Sequence, residues 1–302
     1  MSHDHSHAHA PADFGRAFII GIALNIGFVL FEVTFGLIAQ SLALLADAGH
    51  NLSDILGLAL AWGASVLARR APTKRRTYGL RGTTILAALA NAVLLYVAIG
   101  AIAWEAIRRF GQLQNVEGET VVWVAALGVV INGITALLFM SGRKSDMNVR
   151  GAFLHMVADA GVSLGVVISG VLISGTGWFW LDPVISLAIV LVIGVGTWSL
   201  LKESVNLSLG AVPSGVDSPG VERYLAGIPG VVQVHDLHIW GMSTTETALT
   251  AHLVMPDAVC DDGMLARISD ELLHRFGIHH TTIQLERGDC DFPCEQASDD
   301  VV

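Results

Sequence analysis

Two short stretches of the chain read His-x-x-x-Asp, one from His50 to Asp54 and one from His155 to Asp159. On an α-helix, residues four apart lie one above the other on the same face. Each stretch therefore offers one imidazole nitrogen and one carboxylate oxygen to a common point, and two such faces brought together supply four N/O donors. That set suits tetrahedral Zn²⁺, whereas Mg²⁺ and Ca²⁺ take oxygen shells with more ligands. Donor type alone does not rank zinc against cadmium, cobalt or nickel, because that ranking rests on geometry and surroundings. Asp47 precedes His50 by three residues and shares its face. It reads as a spare metal ligand, a proton carrier or an outer partner of the imidazole.

The elements that must position these residues are long and apolar. Six stretches stand out: Phe14 to Ile38, Leu42 to Ala68, Thr83 to Ile107, Thr120 to Met140, Gly151 to Ser174 and Trp180 to Leu201. Each is long enough to cross about 30 Å of hydrocarbon at about 1.5 Å per residue. His50 lies nine residues after Ser41, and Asp159 nine after Arg150. By helical rise each is roughly 13 Å from its own end of the membrane, so the two pairs can meet near mid-bilayer. Interhelical hydrogen-bond clamps are the bland alternative, but a carboxylate at a helix centre costs about 2.5 to 3.5 kcal/mol. An interhelical polar contact returns only about 0.6 kcal/mol. Asn25, Glu32, Asn91, Glu105 and Asn132 either line a route or join helices; Asp182 followed by Pro183 reads as the N-cap and N1 of the sixth span. Gly161 and Gly165 are expected to let the fifth span approach a neighbour closely.

Composition supports a bilayer as solvent. Of 302 residues, 53% are hydrophobic and 15% charged, with a mean hydropathy of +0.59, outside the range of ordinary soluble domains. The formal charge of −10 is concentrated after residue 204, where 4 Lys/Arg face 15 Asp/Glu. An acidic tail and a nearly neutral body argue against nucleic acid as a partner. Arg69, Arg70, Lys74, Arg75, Arg76 and Arg81 crowd the connection after span two, and Arg143, Lys144 and Arg150 the one after span four. Those connections, and with them both termini, are expected in the cytoplasm of a multi-pass protein of a bacterial inner membrane. The first residues lack the pattern of a cleaved signal peptide, so the chain is expected to begin as written. The three cysteines, Cys260, Cys290 and Cys294, suit a reducing compartment better than a disulfide scaffold.

After Lys202, Pro213, Gly215, Pro219 and Gly220 mark a linker into a small folded region. The pattern predicts a helix over Glu222 to Ala226, strands over Val231 to Trp240 and Thr245 to Val254, a helix over Met264 to Phe276 and a strand over Thr281 to Leu285. His3, His5, His7 and His9 alternate with small or acidic residues in a segment expected to be disordered and to gather metal loosely. A cloning tag would run its histidines consecutively. The expected organisation is an arm over 1–13, a six-helix transmembrane domain over 14–204, an α+β domain over 205–292 and an acidic tail over 293–302.

At these residues the chain resembles the cation diffusion facilitator family, especially its zinc-exporting branch. The resemblance rests on Leu44 to Asp54, on His155 and Asp159, on Trp180-Leu181-Asp182-Pro183 and on Val234-His235-Asp236-Leu237-His238-Ile239-Trp240. It implies six transmembrane helices, a ferredoxin-like, metallochaperone-like cytoplasmic domain, a homodimer, and export of Zn²⁺ against protons by alternating access. It also implies tail metal ligands at His235, His252, His279 and Glu286, with Cys290 and Cys294 resembling a ligating pair. The chemistry is consistent, since metal binding needs deprotonated ligands and imidazoles titrate near neutral pH. Two rivals remain at this stage. An intramembrane metallohydrolase would be expected to show HExxH, but Asn51 follows His50 and Met156 follows His155. A membrane-anchored metal sensor would leave the intramembrane carboxylates without a purpose.

Overall fold

A computed structural model describes residues 15–140, 147–256 and 262–288. Six long helices come first: α1 (Gly15–Ile38), α2 (Leu42–Ala68), α3 (Thr83–Arg109), α4 (Gly118–Met140), α5 (Met147–Thr176) and α6 (Leu181–Ser208). Helices α2 to α6 are each long and apolar enough to cross a membrane, and α1 is apolar over Ala23–Ile38. The apolar stretches read from the sequence coincide with these helices, but α5 starts earlier and α6 continues past Lys202 and Glu203 to Ser208. Hydropathy marks only the lipid-facing length, whereas backbone hydrogen bonding carries a helix on into polar sequence.

The polarity of the helical region is inverted relative to a soluble bundle. Leu30, Trp62, Leu86, Val97, Trp104, Trp123, Leu191 and Val195 are exposed, while Glu32, Asp47, Asn51, Asn132, Asp159 and Ser163 are buried. An apolar exterior around a polar interior is what lipid demands, because hydrocarbon offers no hydrogen bonds.

The chain forms two compact units, the first comprising 1–56 with 94–196 and the second 57–93 with 197–302. In the first, Ala43, Leu44, Leu95, Ile99, Val121, Val166 and Ile193 belong to one apolar core. Helices α4 and α5 approach closely at Gly118 and Gly170: a Cβ on Gly118 would sit 2.8 Å from the Gly170 carbonyl oxygen. The expected close approach at Gly161 and Gly165 is not found, since a Cβ on either would meet nothing within 4 Å. Spacing identified a helix rich in small residues but not the side on which its neighbour lies.

The tail folds as α7 (Ser218–Ala226), β1 (Gln233–Gly241), β2 (Thr247–Val254), α8 (Asp262–Phe276) and β3 (Ile278–Glu286). Asp217 caps α7 by accepting from the Gly220 amide at 3.1 Å, with Pro219 in the first turn. In the sheet, β2 is central, antiparallel to β1 and parallel to β3. Val221 and Leu225 of α7 and Ile268 and Leu272 of α8 pack with Ile239, Leu249, Leu253 and Ile278 of the strands. The α-β-β-α-β order expected from the pattern is the order found.

Candidate metal centre

Helices α2 and α5 bring the two His-x-x-x-Asp faces together. His50 Nε2 lies 3.6 Å from Asp54 Oδ2 and 3.4 Å from Asp159 Oδ1. His155 Nε2 lies 3.0 Å from Asp54 Oδ2 and 3.5 Å from Asp159 Oδ2. Imidazoles and carboxylates thus alternate around one point, and the imidazole rings meet edge to face with centroids 5.9 Å apart. Donor atoms of His50, His155 and Asp159 all lie within 4.8 Å of one another, close enough for one ion. Despite these short distances, Asp54 Oδ2 and Asp159 Oδ2 have no hydrogen-bond partner. The groups therefore aim at the space between them more than at each other, and buried acceptors left in that state are costly without a cation. Burial is graded, with side-chain exposures of 2% for Asp159 and 14% for His50 against 34% for Asp54 and 41% for His155. The open half lies toward the end of α2 and the start of α5.

Asp47 stands outside this ring. It is fully buried, and its Oδ2 accepts from Ser163 of α5 at 2.8 Å. Asp182 also differs from its expected place. Helix α6 begins at Leu181, two residues before the expected Pro183, so Asp182 sits in its first turn rather than at its cap. Its carboxylate instead caps α2, accepting from the Ser41 hydroxyl at 2.5 Å and from the amides of Leu42 at 2.8 Å and Ala43 at 3.3 Å. The N-terminal amides of α2 lack intrahelical acceptors, and a buried carboxylate supplies them. Arg109 joins this cluster, with Nη1 3.8 Å from Asp182 Oδ2 and a hydrogen bond to the Gln40 carbonyl.

A second cluster forms on the tail sheet. Register pairs His235 of β1 with His252 of β2, and Val254 of β2 with Glu286 of β3. His235 Nε2 is 3.1 Å from Glu286 Oε2 and His252 Nδ1 is 3.0 Å from Glu286 Oε1. The donors of these residues again lie within 4.8 Å of one another. His279, expected with them, is not brought in. It sits at the opposite end of β3, about 23 Å away by strand rise, where Nδ1 accepts from the Thr247 amide at 3.4 Å. Asp236, which spacing did not single out, does join: its Oδ2 is 3.4 Å from His252 Nε2, and its Oδ1 accepts from or pairs with His238 Nε2 at 2.8 Å. In a regular strand Asp236 would face away from His235. A register shift between His235 and His238, with Asp236 at φ 49°, turns it back. Cys290, Cys294 and the N-terminal His3, His5, His7 and His9 lie outside the described residues.

A helical membrane region with a half-buried His/Asp quartet, in a chain that also carries a small α+β domain with a second His/carboxylate cluster, points to a multi-pass transporter of metal cations. The comparisons agree. Residues 18–207 match the cation efflux transmembrane domain and residues 213–288 the cation efflux protein cytoplasmic domain. The chain belongs to the cation efflux, or cation diffusion facilitator, family, whose members are transporters rather than enzymes. It is 39% identical over 298 residues to the metal cation efflux system protein CzcD of Cupriavidus metallidurans, covering 98% of this chain and 93% of that one. It is 37% identical to the zinc transporter ZitB of Escherichia coli, covering 97% and 95%. It is 33% identical to a cadmium, cobalt and zinc/H(+)-K(+) antiporter of Bacillus subtilis, covering 93% and 91%. The protein is a metal cation efflux transporter, and the hydrolase alternative is set aside.

Proposed function

We propose that the protein exports Zn²⁺ from the cytoplasm in exchange for protons, with His50, Asp54, His155 and Asp159 as the ion's transport site. The observation that carries this reading is the alternating ring of two imidazoles and two carboxylates, donated by α2 and α5 at 3.0 to 3.6 Å. Two nitrogens and two oxygens at tetrahedral number favour Zn²⁺ over harder cations, and cadmium, cobalt and nickel are secondary substrates by the same donor chemistry. The relatives named for zinc transport and for antiport with protons support the same reading.

The cation-rich connection Arg69 to Arg81 follows α2, so the open half of the site faces the cytoplasm, with both termini on that side of a bacterial inner membrane. Zn²⁺ entering there displaces protons from the imidazoles and carboxylates. Rearrangement of the helices then opens the Asp159 and His50 side outward, where protons compete for the same nitrogens and oxygens, release the ion and return inward. In the tail, His235, His252 and Glu286, with Asp236 beside them, hold a further metal ion. The cytoplasmic domain pairs two copies into a homodimer, Cys290 and Cys294 add a ligating pair to the tail, and the N-terminal His3, His5, His7 and His9 capture metal loosely.

The test is Zn²⁺ flux into proteoliposomes under an imposed pH gradient. His50→Ala and Asp159→Ala, which remove one donor each, are expected to lower the initial rate at least ~100-fold while the thermal unfolding midpoint stays near that of the wild type. Wild-type rates in both variants would remove the quartet from the transport path.

A further inference from the structure

Glu32 of α1 is wholly buried, and neither of its carboxylate oxygens has a hydrogen-bond partner. It faces Asp47 and Asn51 of α2. Asp47 is wholly buried too; Ser163 donates to its Oδ2, while its Oδ1 has no partner. Asn51 is 4% exposed, and its Nδ2 is likewise without an acceptor. The other charged or titratable groups facing Asp47 are Asp159 and His50. Two carboxylates buried against each other, with only the neutral Ser163 hydroxyl and Asn51 amide as donors beside them, cannot both stay ionised, because like charges at short range in a poorly polarisable interior repel strongly. One proton held between them turns two acceptors into a donor and an acceptor and closes the contact.

We propose that Glu32 and Asp47 form an acid pair that holds one exchangeable proton next to the metal site and is coupled to that site by charge rather than by sharing a ligand. This rests on the proton-exchange reading above and adds a second place for the counter-ion. The position is fixed on both helices: Asp47 precedes His50 by three residues on α2, and Ser163 follows Asp159 by four on α5. The Asp47–Ser163 bond therefore lies one turn, about 5.4 Å, beyond the quartet toward the start of α2. A divalent ion in the quartet repels the pair's proton, which leaves to water. A proton arriving on the pair from the α2 start in turn weakens the hold on the ion. Mutual exclusion between two adjacent cation places is the thermodynamic content of exchange.

The decisive measurement is equilibrium Zn²⁺ binding to the purified full-length protein in detergent between pH 5.5 and 7.5, with released protons counted by a pH indicator. Glu32→Gln and Asp47→Asn keep size and remove the exchangeable proton. Both are expected to bind Zn²⁺ within about 3-fold of wild type at pH 7.5, to flatten the slope of log Kd against pH by roughly 0.5 to 1, and to release correspondingly fewer protons per ion. Retained binding certifies folding. Wild-type slopes and proton counts in both variants overturn the proposal, as does a loss of affinity of about 30-fold or more with the slope unchanged, which would make the residues supports of the metal site. Affinity that in the wild type depends on Na⁺ or K⁺, and no longer does in the variants, also overturns it by placing an alkali ion there. Absence of pH-driven flux in wild-type proteoliposomes would instead sink the exchange reading itself, so the two failures are separable.

Discussion

Glu286 ties both tail histidines to one carboxylate, and its protonation reports on how that cluster is held. Burial pushes its carboxyl up, but hydrogen bonds with Gln284 and His235 and the charges of His235 and His252 outweigh it, so the group lies below the ordinary glutamate value. The folded state thus binds this proton more weakly than the unfolded chain. The contribution to stability is present above the unfolded value of about 4.3 and is lost as pH falls through the lower folded value. Hydrogen-exchange protection of β3 in the metal-free protein, corrected for intrinsic exchange, is expected to hold down to about pH 5 and to drop below about pH 4. Glu286→Gln should remove this acid step; an unchanged step would assign it to other carboxylates. The membrane quartet was legible at this scale because its spacing repeats on two helices. The tail cluster was legible only by resemblance, because its members lie on three strands, and composition carries no register. That is why His279 was grouped with residues at the far end of its strand, and why Asp236, turned by a positive φ, was missed.

At the scale of elements, the start of α2 matters because the face carrying His50 and Asp54 begins two turns further on. Asp182, a residue of α6, satisfies the first amides of α2 and the Ser41 hydroxyl, and Arg109 of α3 lies beside it. Three helices are thereby pinned at one carboxylate. Removing it with Asp182→Ala discards a cap and leaves a buried guanidinium with less compensation, a loss of about 2 kcal/mol. The expected readout is a thermal midpoint several degrees lower, with Asp182→Asn falling between the two. If Asp182→Ala melts like the wild type, the cap is incidental. Among the described residues, sequence patterning found each helix and strand, because hydrophobic period and length decide those. It assigned Asp182 to its own helix because a local motif, Asp-Pro, is visible in one dimension, whereas a cap supplied from 140 residues away is not. The same blindness put the close helix contact at Gly161 and Gly165 instead of Gly118 and Gly170.

At the scale of the whole molecule, a site in the helices and a site on the tail sheet require a mechanical connection if tail metal is to influence transport. Within the second compact unit, the segment running into the start of α3 meets the tail sheet. Arg81 Nη1 meets Glu246 Oε2 at 2.8 Å, the Thr244 amide donates to Thr84 Oγ1 at 3.1 Å, and the Tyr78 and His280 rings meet edge to face at 5.6 Å. Glu246 directly precedes β2, the strand that carries His252. The ion pair is 39% and 33% exposed, so its worth in stability is below about 1 kcal/mol. Its value lies in fixing position. Arg81→Glu sets two carboxylates against each other across this joint and is expected to cut Zn²⁺ flux about 3- to 10-fold, with little change in the thermal midpoint. The exchanged pair, Arg81→Glu with Glu246→Arg, restores opposite charges in reversed order and should recover flux to within about 2-fold of wild type. Such recovery isolates the pairwise term, because a residue acting through separate effects would show additive losses in the double variant. Additive losses would therefore relieve this joint of any part in passing the state of the tail to the helices.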